Sequence, residues 1–318
     1  MESINTNNTF YLDSHCHLQL LNNTYNLSKL LDVCIENKIN YYLLNSTSDK
    51  DFNKVISISK EYSINNKIKI LPNLGYHPWY LKDMYDNIDI KNKKLEDFTT
   101  LIDNMYKQYV DNKQQSEHKF NKFGIGEIGI DNFFSIKDID MEFQLEVLEY
   151  QLNLAEKYSL FVSIHCVRAM EDLIKFFKKY FKKNKKYNLI EKRLILLHSY
   201  PGNKQQTKLI LKLINPWFSL SSASYCDRMY STIQNIIPIE NIVLESDTPS
   251  LFNINIFESN EDKAFLDSNF KFENEKYINN PLSIKILSKK IAKLKGIDEE
   301  EFAKKIMLNN DLILKSFE

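Results

Sequence analysis

No run of 18 apolar residues occurs in this 318-residue chain, so no bilayer-spanning helix is expected. Neither sign of charge is in excess. The 42 Lys and Arg balance 42 Asp and Glu, so no global positive field would draw the chain to nucleic acid or to an anionic membrane, and any nucleic-acid contact must be local. Cysteine is sparse: Cys16, Cys34, Cys166 and Cys226 never form a C-x-x-C pair and read as free thiols of a reducing compartment. Residues 1–9 lack the charged and apolar regions of a signal peptide and are read as a disordered or extended tail. These absences point to a cytoplasmic protein, the nucleus left open, with no membrane partner. No Gly-x-Gly-x-x-Gly turn follows the first apolar run and no internal repeat is visible, which argues against a dinucleotide-binding sheet and against a repeat array.

What is present is a large apolar reservoir, 43% hydrophobic residues with 20 Phe and 18 Tyr. Short apolar runs at 10–16, 41–45, 68–74, 123–127, 160–165, 193–198, 217–221 and 241–247 predict eight strands. Helical spacing falls between them at 27–37, 49–62, 95–110, 138–158, 170–180, 204–213 and 228–237. Continuous rather than alternating apolar strands suit a parallel sheet covered by helices. Eight strand-helix units therefore predict an α/β fold, a (β/α)8 TIM barrel, as one domain over 10–318. Residues 111–121 read as a solvated loop, and 251–280 as a polar insertion with few helix signals, lying over the barrel mouth after the eighth strand. Terminal helices follow at 281–295 and 298–317, with Asp298 as N-cap and Glu301 three residues on. The basic and aromatic run 175–186 could be a nucleic-acid face. The favoured reading is an outer helix with Phe176, Phe177, Tyr180 and Phe181 toward the sheet.

Active sites of such barrels sit at the C-terminal ends of the strands. The polar residues there are His15, His17, His77, Glu127, His165, His198 and Asp247, which takes five of the chain's six histidines; the sixth, His118, lies in the hydrophilic 111–121 stretch. Any one of them alone is unremarkable, but histidine scattered at random would not keep to strand ends. Strand alternation places Asp13, His15 and His17 on one face and turns Cys16 to the other. Cys166, next to His165, is turned from the site by the same rule. Four imidazoles and two carboxylates, His15, His17, His165, His198, Glu127 and Asp247, match the ligand count for two divalent ions (Mg, Mn or Zn) with open positions. Glu127 would bridge them, and a two-ion site would acidify a water and clamp both oxygens of a displacement at phosphorus. Asp247 is assigned to metal binding and to proton abstraction, with Glu127 as the other catalytic carboxylate. Asp13 and Glu245 are placed behind the ligands. His77, in Gly75-Tyr76-His77-Pro78, would either contact a substrate phosphate or anchor its loop.

Six segments in order, Asp13-Ser14-His15-Cys16-His17-Leu18, Gly75-Tyr76-His77-Pro78, Gly126-Glu127-Ile128-Gly129-Ile130-Asp131, Val162-Ser163-Ile164-His165, His198-Ser199-Tyr200-Pro201-Gly202 and Glu245-Ser246-Asp247-Thr248-Pro249, resemble the motifs of the TatD family of metal-dependent deoxyribonucleases, in the amidohydrolase superfamily. The resemblance runs over about residues 10–317. It implies a metal-dependent DNA hydrolase, commonly a 3′ to 5′ exonuclease linked to DNA repair or degradation, with DNA as its substrate. By position, His15, His17 and Asp247 would hold one ion, His165 and His198 the other, with Glu127 between and His77 on the substrate. The chain departs from the pattern at Val167, where the family usually has Arg and this chain has Arg168 one residue later, at Tyr200-Pro201, and in the 251–280 insertion. The alternatives are an amidohydrolase-like enzyme acting on a small ester or amide, and a non-catalytic module with a structural metal. No protein partner is expected, and the default state is a monomer.

Overall fold

Near-continuous apolar runs are stable as strands only when both faces are covered, and the chain satisfies this by closing its sheet on itself. The computed structural model describes residues 10–21, 26–63, 67–115, 122–133, 138–183, 188–270 and 277–318. Its strands are β1 (Tyr11–Cys16), β2 (Ile39–Asn45), β3 (Lys69–Leu74), β4 (Gly124–Asp131), β5 (Val162–Val167), β6 (Ile195–Leu197), β7 (Trp217–Leu220) and β8 (Ile242–Leu244). Each pairs in parallel with the next in sequence. Between the last strand and the first, the Ser14 hydroxyl donates to Leu244 O at 2.9 Å, Asp247 N to His15 O at 3.0 Å and His17 N to Thr248 O at 2.8 Å. The result is the expected barrel, nearly closed, with helices outside.

The outer helices follow from their apolar stripes. Met141–Tyr158 starts where the extended Asp140 accepts Phe143 N, and it buries Val147, Leu148, Leu152 and Ala155 against the sheet. It starts later than the predicted 138 because the N-cap is Asp140 rather than Asp138. In Met170–Lys183, Phe176, Phe177, Tyr180 and Phe181 are buried, so the aromatic half of the basic run serves the core. The rest of that run, 184–186, lies outside the described residues, as do the 1–9 tail and His118.

Two expectations are corrected. The helix predicted for 95–110 runs Ile88–Gln115, so the start of the supposed 111–121 loop is helical; no Gly or Pro interrupts it and its Lys and Gln are good helix formers. In the 251–280 insertion, of which 271–276 lie outside the described residues, there are a 3-10 turn Ile254–Ile256 and a helix Asn260–Phe270 where few helix signals were expected. A reciprocal cap starts that helix, Asp262 N to Ser259 Oγ at 3.0 Å and Ser259 N to Asp262 Oδ2 at 3.2 Å. Phe270 stacks on Phe252 with centroids 5.3 Å apart, and Lys290 of the helix Ser283–Lys295 binds Glu258 at 2.9 Å.

Gly129 sets the approach of β4 to β5. It holds φ +147°, and a Cβ there would lie 2.0 Å from the carbonyl oxygen of His165. Gly129→Ala is expected to destabilise the fold by about 3 kcal/mol. Calorimetric unfolding checks this, with Gly296→Ala, whose Cβ meets nothing within 4 Å, as the control for φ strain alone.

Candidate metal centre

The strand ends deliver the predicted side chains to one buried spot. His15 belongs to β1 and His17 follows it; Glu127 and His165 lie within β4 and β5; His198 and Asp247 stand in the turns just past β6 and β8. Glu127 is the hub. Its Oε2 faces His17 Nε2 at 3.1 Å and His15 Nε2 at 3.4 Å, while its Oε1 faces His165 Nδ1 and His198 Nε2, both at 2.8 Å, and His77 Nε2 at 3.3 Å. Asp247 Oδ1 lies 3.6 Å from His17 Nε2 and 3.8 Å from His15 Nε2. Its φ of 54°, a left-handed conformation that Asp tolerates, turns the side chain inward from the end of β8.

The far nitrogens of three rings are hydrogen-bonded, and that of His198 faces a carboxylate. His17 Nδ1 donates to Asn45 O at 2.8 Å, which leaves its Nε2 lone pair aimed at the centre. His15 Nδ1 meets Ser163 Oγ at 2.7 Å, and His165 Nε2 meets Asp131 Oδ2 at 2.8 Å. His198 Nδ1 lies 3.4 Å from Glu245 Oε1, an oxygen that also accepts Ser199 N at 2.7 Å. Ring nitrogens converging on one spot while their partners hold the opposite edge is the arrangement that metal-binding histidines require. Three overlapping trios, His15–His198–Asp247, His15–His17–Glu127 and His77–Glu127–His165, bring their ligand atoms within 4.8 Å of one another. Among the described residues, then, His, Glu and Asp clusters fit a divalent metal.

Each of the remaining predictions can now be placed. His77 is brought in with the others: its Nδ1 accepts Trp79 N at 3.1 Å and its Nε2 points to Glu127, so it anchors its loop and faces the site at once. Asp13 sits behind the ligands, but it braces the β8 end rather than an imidazole, accepting Ser246 N at 2.9 Å and Ser246 Oγ at 2.5 Å. Glu245 stands behind His198. Cys16 turns outward, its thiol toward Leu43 O, and burial raises the Cys16 and Cys166 thiols far out of the nucleophilic range. Sequence reasoning gave no role to Asp131 or Ser163. Both lie two or four positions from a predicted residue on the same strand, Asp131 from Glu127 and Ser163 from His165, so alternation alone could have found them.

Burial and mutual charge set the protonation of the centre. Burial would raise Glu127, but the imidazoles of His77, His198 and His15 hold it well below the usual carboxylate range. Burial pushes Asp247 up to about 7 against the pull of His198 and His17. Burial pulls His17 down, yet the Glu127 carboxylate outweighs it and lifts the ring to about 8. His15, buried and stacked 4.0 Å from His198, is pushed well down and stays neutral. Burial pulls His198 down too, but the Glu127 and Glu245 carboxylates outweigh it and hold that ring well above its ordinary value, so a proton on His198, one on His17 below about pH 8 and one on Asp247 below about 7 would each have to leave before these groups could bind a cation. Divalent-metal affinity is expected to fall as pH drops from 8 to 6, with protons released on loading. Titration calorimetry in buffers of different ionisation enthalpy measures both.

The model of the family described as TatD related DNase matches residues 12–315. Deoxyribonuclease TATDN3 of Homo sapiens is 23% identical, over 91% of this chain and 89% of its own. Cut9-interacting protein scn1 of Schizosaccharomyces pombe is 25% identical, over 76% of this chain and 88% of its own. A solved TatD family hydrolase from Entamoeba histolytica superposes with TM-score 0.71 at 20% identity, covering 96% of this chain and 98% of that one, a likeness of fold. The family match over nearly the whole sequence and the converging His, Glu and Asp side chains lead to one conclusion: the chain belongs to the TatD related DNase family of metal-dependent hydrolases.

Proposed function

We propose that the protein is a divalent-metal-dependent deoxyribonuclease that hydrolyses DNA phosphodiester bonds, in the 3′ to 5′ exonuclease mode. One observation carries the two-ion form of this reading: Glu127 presents one oxygen to His15 and His17 and the other to His165 and His198. His15, His17 and Asp247 would hold one ion and His165 and His198 the other, with Glu127 shared. Bound there, such ions polarise a phosphodiester and acidify a water. Asp247, whose Oδ1 lies 3.6 Å from His17 Nε2 at the edge of the cluster, would take the proton of an attacking water and return it to the leaving oxygen. His77, its Nδ1 occupied by Trp79 N, keeps Nε2 for a phosphate oxygen. Asp13 and Glu245 hold Asp247 and His198 in place from behind.

Zero net charge favours a second substrate class, a small ester or amide, since a nuclease gains affinity from a basic channel. Metal-stripped protein incubated with end-labelled DNA and Mg²⁺, Mn²⁺ or Zn²⁺ separates the two. Metal-dependent shortening from the 3′ end supports the nuclease. Intact DNA together with turnover of small esters or amides overturns it.

A further inference from the structure

Trp79 lies outside the ligand clusters, yet it is fastened to them. As a residue it is 50% exposed. The indole N–H nevertheless donates at 2.7 Å to Asp131 Oδ2, the same oxygen that meets His165 Nε2 at 2.8 Å. The ring stands edge-on to His77 with centroids 5.4 Å apart, and 6.4 Å from His165. The other oxygen of Asp131 accepts the main-chain Phe133 N at 2.6 Å, which holds the backbone of a second exposed aromatic residue, and the Arg168 guanidinium rests 4.7 Å over its ring. Tyr80, also exposed, has its centroid 6.1 Å from that of His77. One buried carboxylate thus ties two exposed aromatic residues to a histidine of the centre.

An indole whose polar edge is already bonded offers a ligand only its π-face, and because the ring is held, little freedom is lost on binding. Its distance from His77 and His165 is within the span of one nucleotide. We propose that Trp79 is a stacking platform for the nucleobase next to the scissile phosphate, and that Asp131 sets the platform's position relative to His165. This rests on the deoxyribonuclease reading and adds to it a residue that recognises the base. Because any base has a π-face, the platform selects for an unpaired nucleotide without selecting sequence. Arg168 and Phe133 continue the same rim.

The probe is an oligothymidylate, compared with one of equal length carrying an abasic sugar at its 3′ end. Trp79→Ala is expected to raise KM about tenfold for the first and to leave the second unchanged, while Trp79→Phe, which keeps a ring, stays within about threefold of the native protein. Equal effects of Trp79→Ala on both oligomers, or no effect on either, overturn the platform while leaving the nuclease intact. Native protein that cleaves neither oligomer with any metal overturns the nuclease reading itself, before any variant is compared. Fluorescence supplies a readout that needs no turnover. The only other tryptophan, Trp217, is buried beside Arg193, so oligothymidylate should quench the exposed Trp79 emission, with Trp79→Phe as the baseline. Absence of quenching by an oligomer that the native protein cleaves overturns the platform.

Discussion

Glu127→Gln is expected to lower kcat by roughly a thousandfold and to remove at least one equivalent of bound metal. Five imidazoles face the two carboxylate oxygens at 2.8 to 3.4 Å. The amide keeps the volume but replaces one oxygen by an NH₂ that repels a cation, so it cannot serve both halves of the centre. Stability is affected too. The folded Glu127 carboxyl is held below its ordinary value, so its contribution is present above the unfolded carboxylate pKa and is lost only as pH falls through the lower, folded value. At neutral pH the metal-free variant therefore loses the whole of it, about 3 kcal/mol for a buried charge stripped from its partners. Metal analysis after gel filtration, steady-state rates and calorimetric unfolding read the three effects separately. Native-like metal content and rate in this variant would remove Glu127 from the centre.

Asp247→Asn is expected to separate chemistry from folding. Asparagine accepts the left-handed backbone found at φ 54°, and the hydrogen bonds from Asp247 N to His15 O at 3.0 Å and from Ser250 N to Asp247 O at 2.7 Å are main-chain contacts that the variant retains. Unfolding should shift by less than about 1 kcal/mol. What the amide cannot do is accept a proton from water, and kcat is expected to fall by 10² to 10⁴, on the order of a lost general base, with KM little changed. Unfolding shifted by several kcal/mol alongside the loss of rate would point instead to a purely structural Asp247. Asp13→Asn is the companion variant. It loosens the clamp on Ser246 and so reaches Asp247 only through the backbone.

Much of this arrangement was legible in the residues themselves. A strand that ends in His, repeated after different apolar runs, can be collected without knowing how the strands pair, because a barrel sends every strand end to the same mouth. That is why His15, His17, Glu127, His165, His198 and Asp247 could be named from spacing. Spacing does not choose between the two roles of His77, because a turn residue has no strand period to aim it. Asp131 lies beyond the strand that the apolar run predicts, which ends at 127, whereas β4 continues to 131 and carries that carboxylate to His165. The helix Asn260–Phe270 in the 251–280 insertion is not legible in the sequence, because Phe252, Phe257 and Phe270 hold it by packing on one another rather than by an amphipathic stripe.

By itself the sequence determined the architecture and the kinds of side chain that gather at the barrel mouth, since apolar periodicity and strand-end position are local properties of a chain. The tertiary structure alone decided the division of Glu127's two oxygens between His15 and His17 on one side and His77, His165 and His198 on the other, the placing of Ser163, Asn45, Asp131 and Glu245 behind the rings, and the fastening of Trp79 to Asp131. Those depend on which atoms of distant residues meet within 3.5 Å, for example Asp131 with Trp79 at 2.7 Å, and no period along the chain encodes a contact between β4 and the turn after β3.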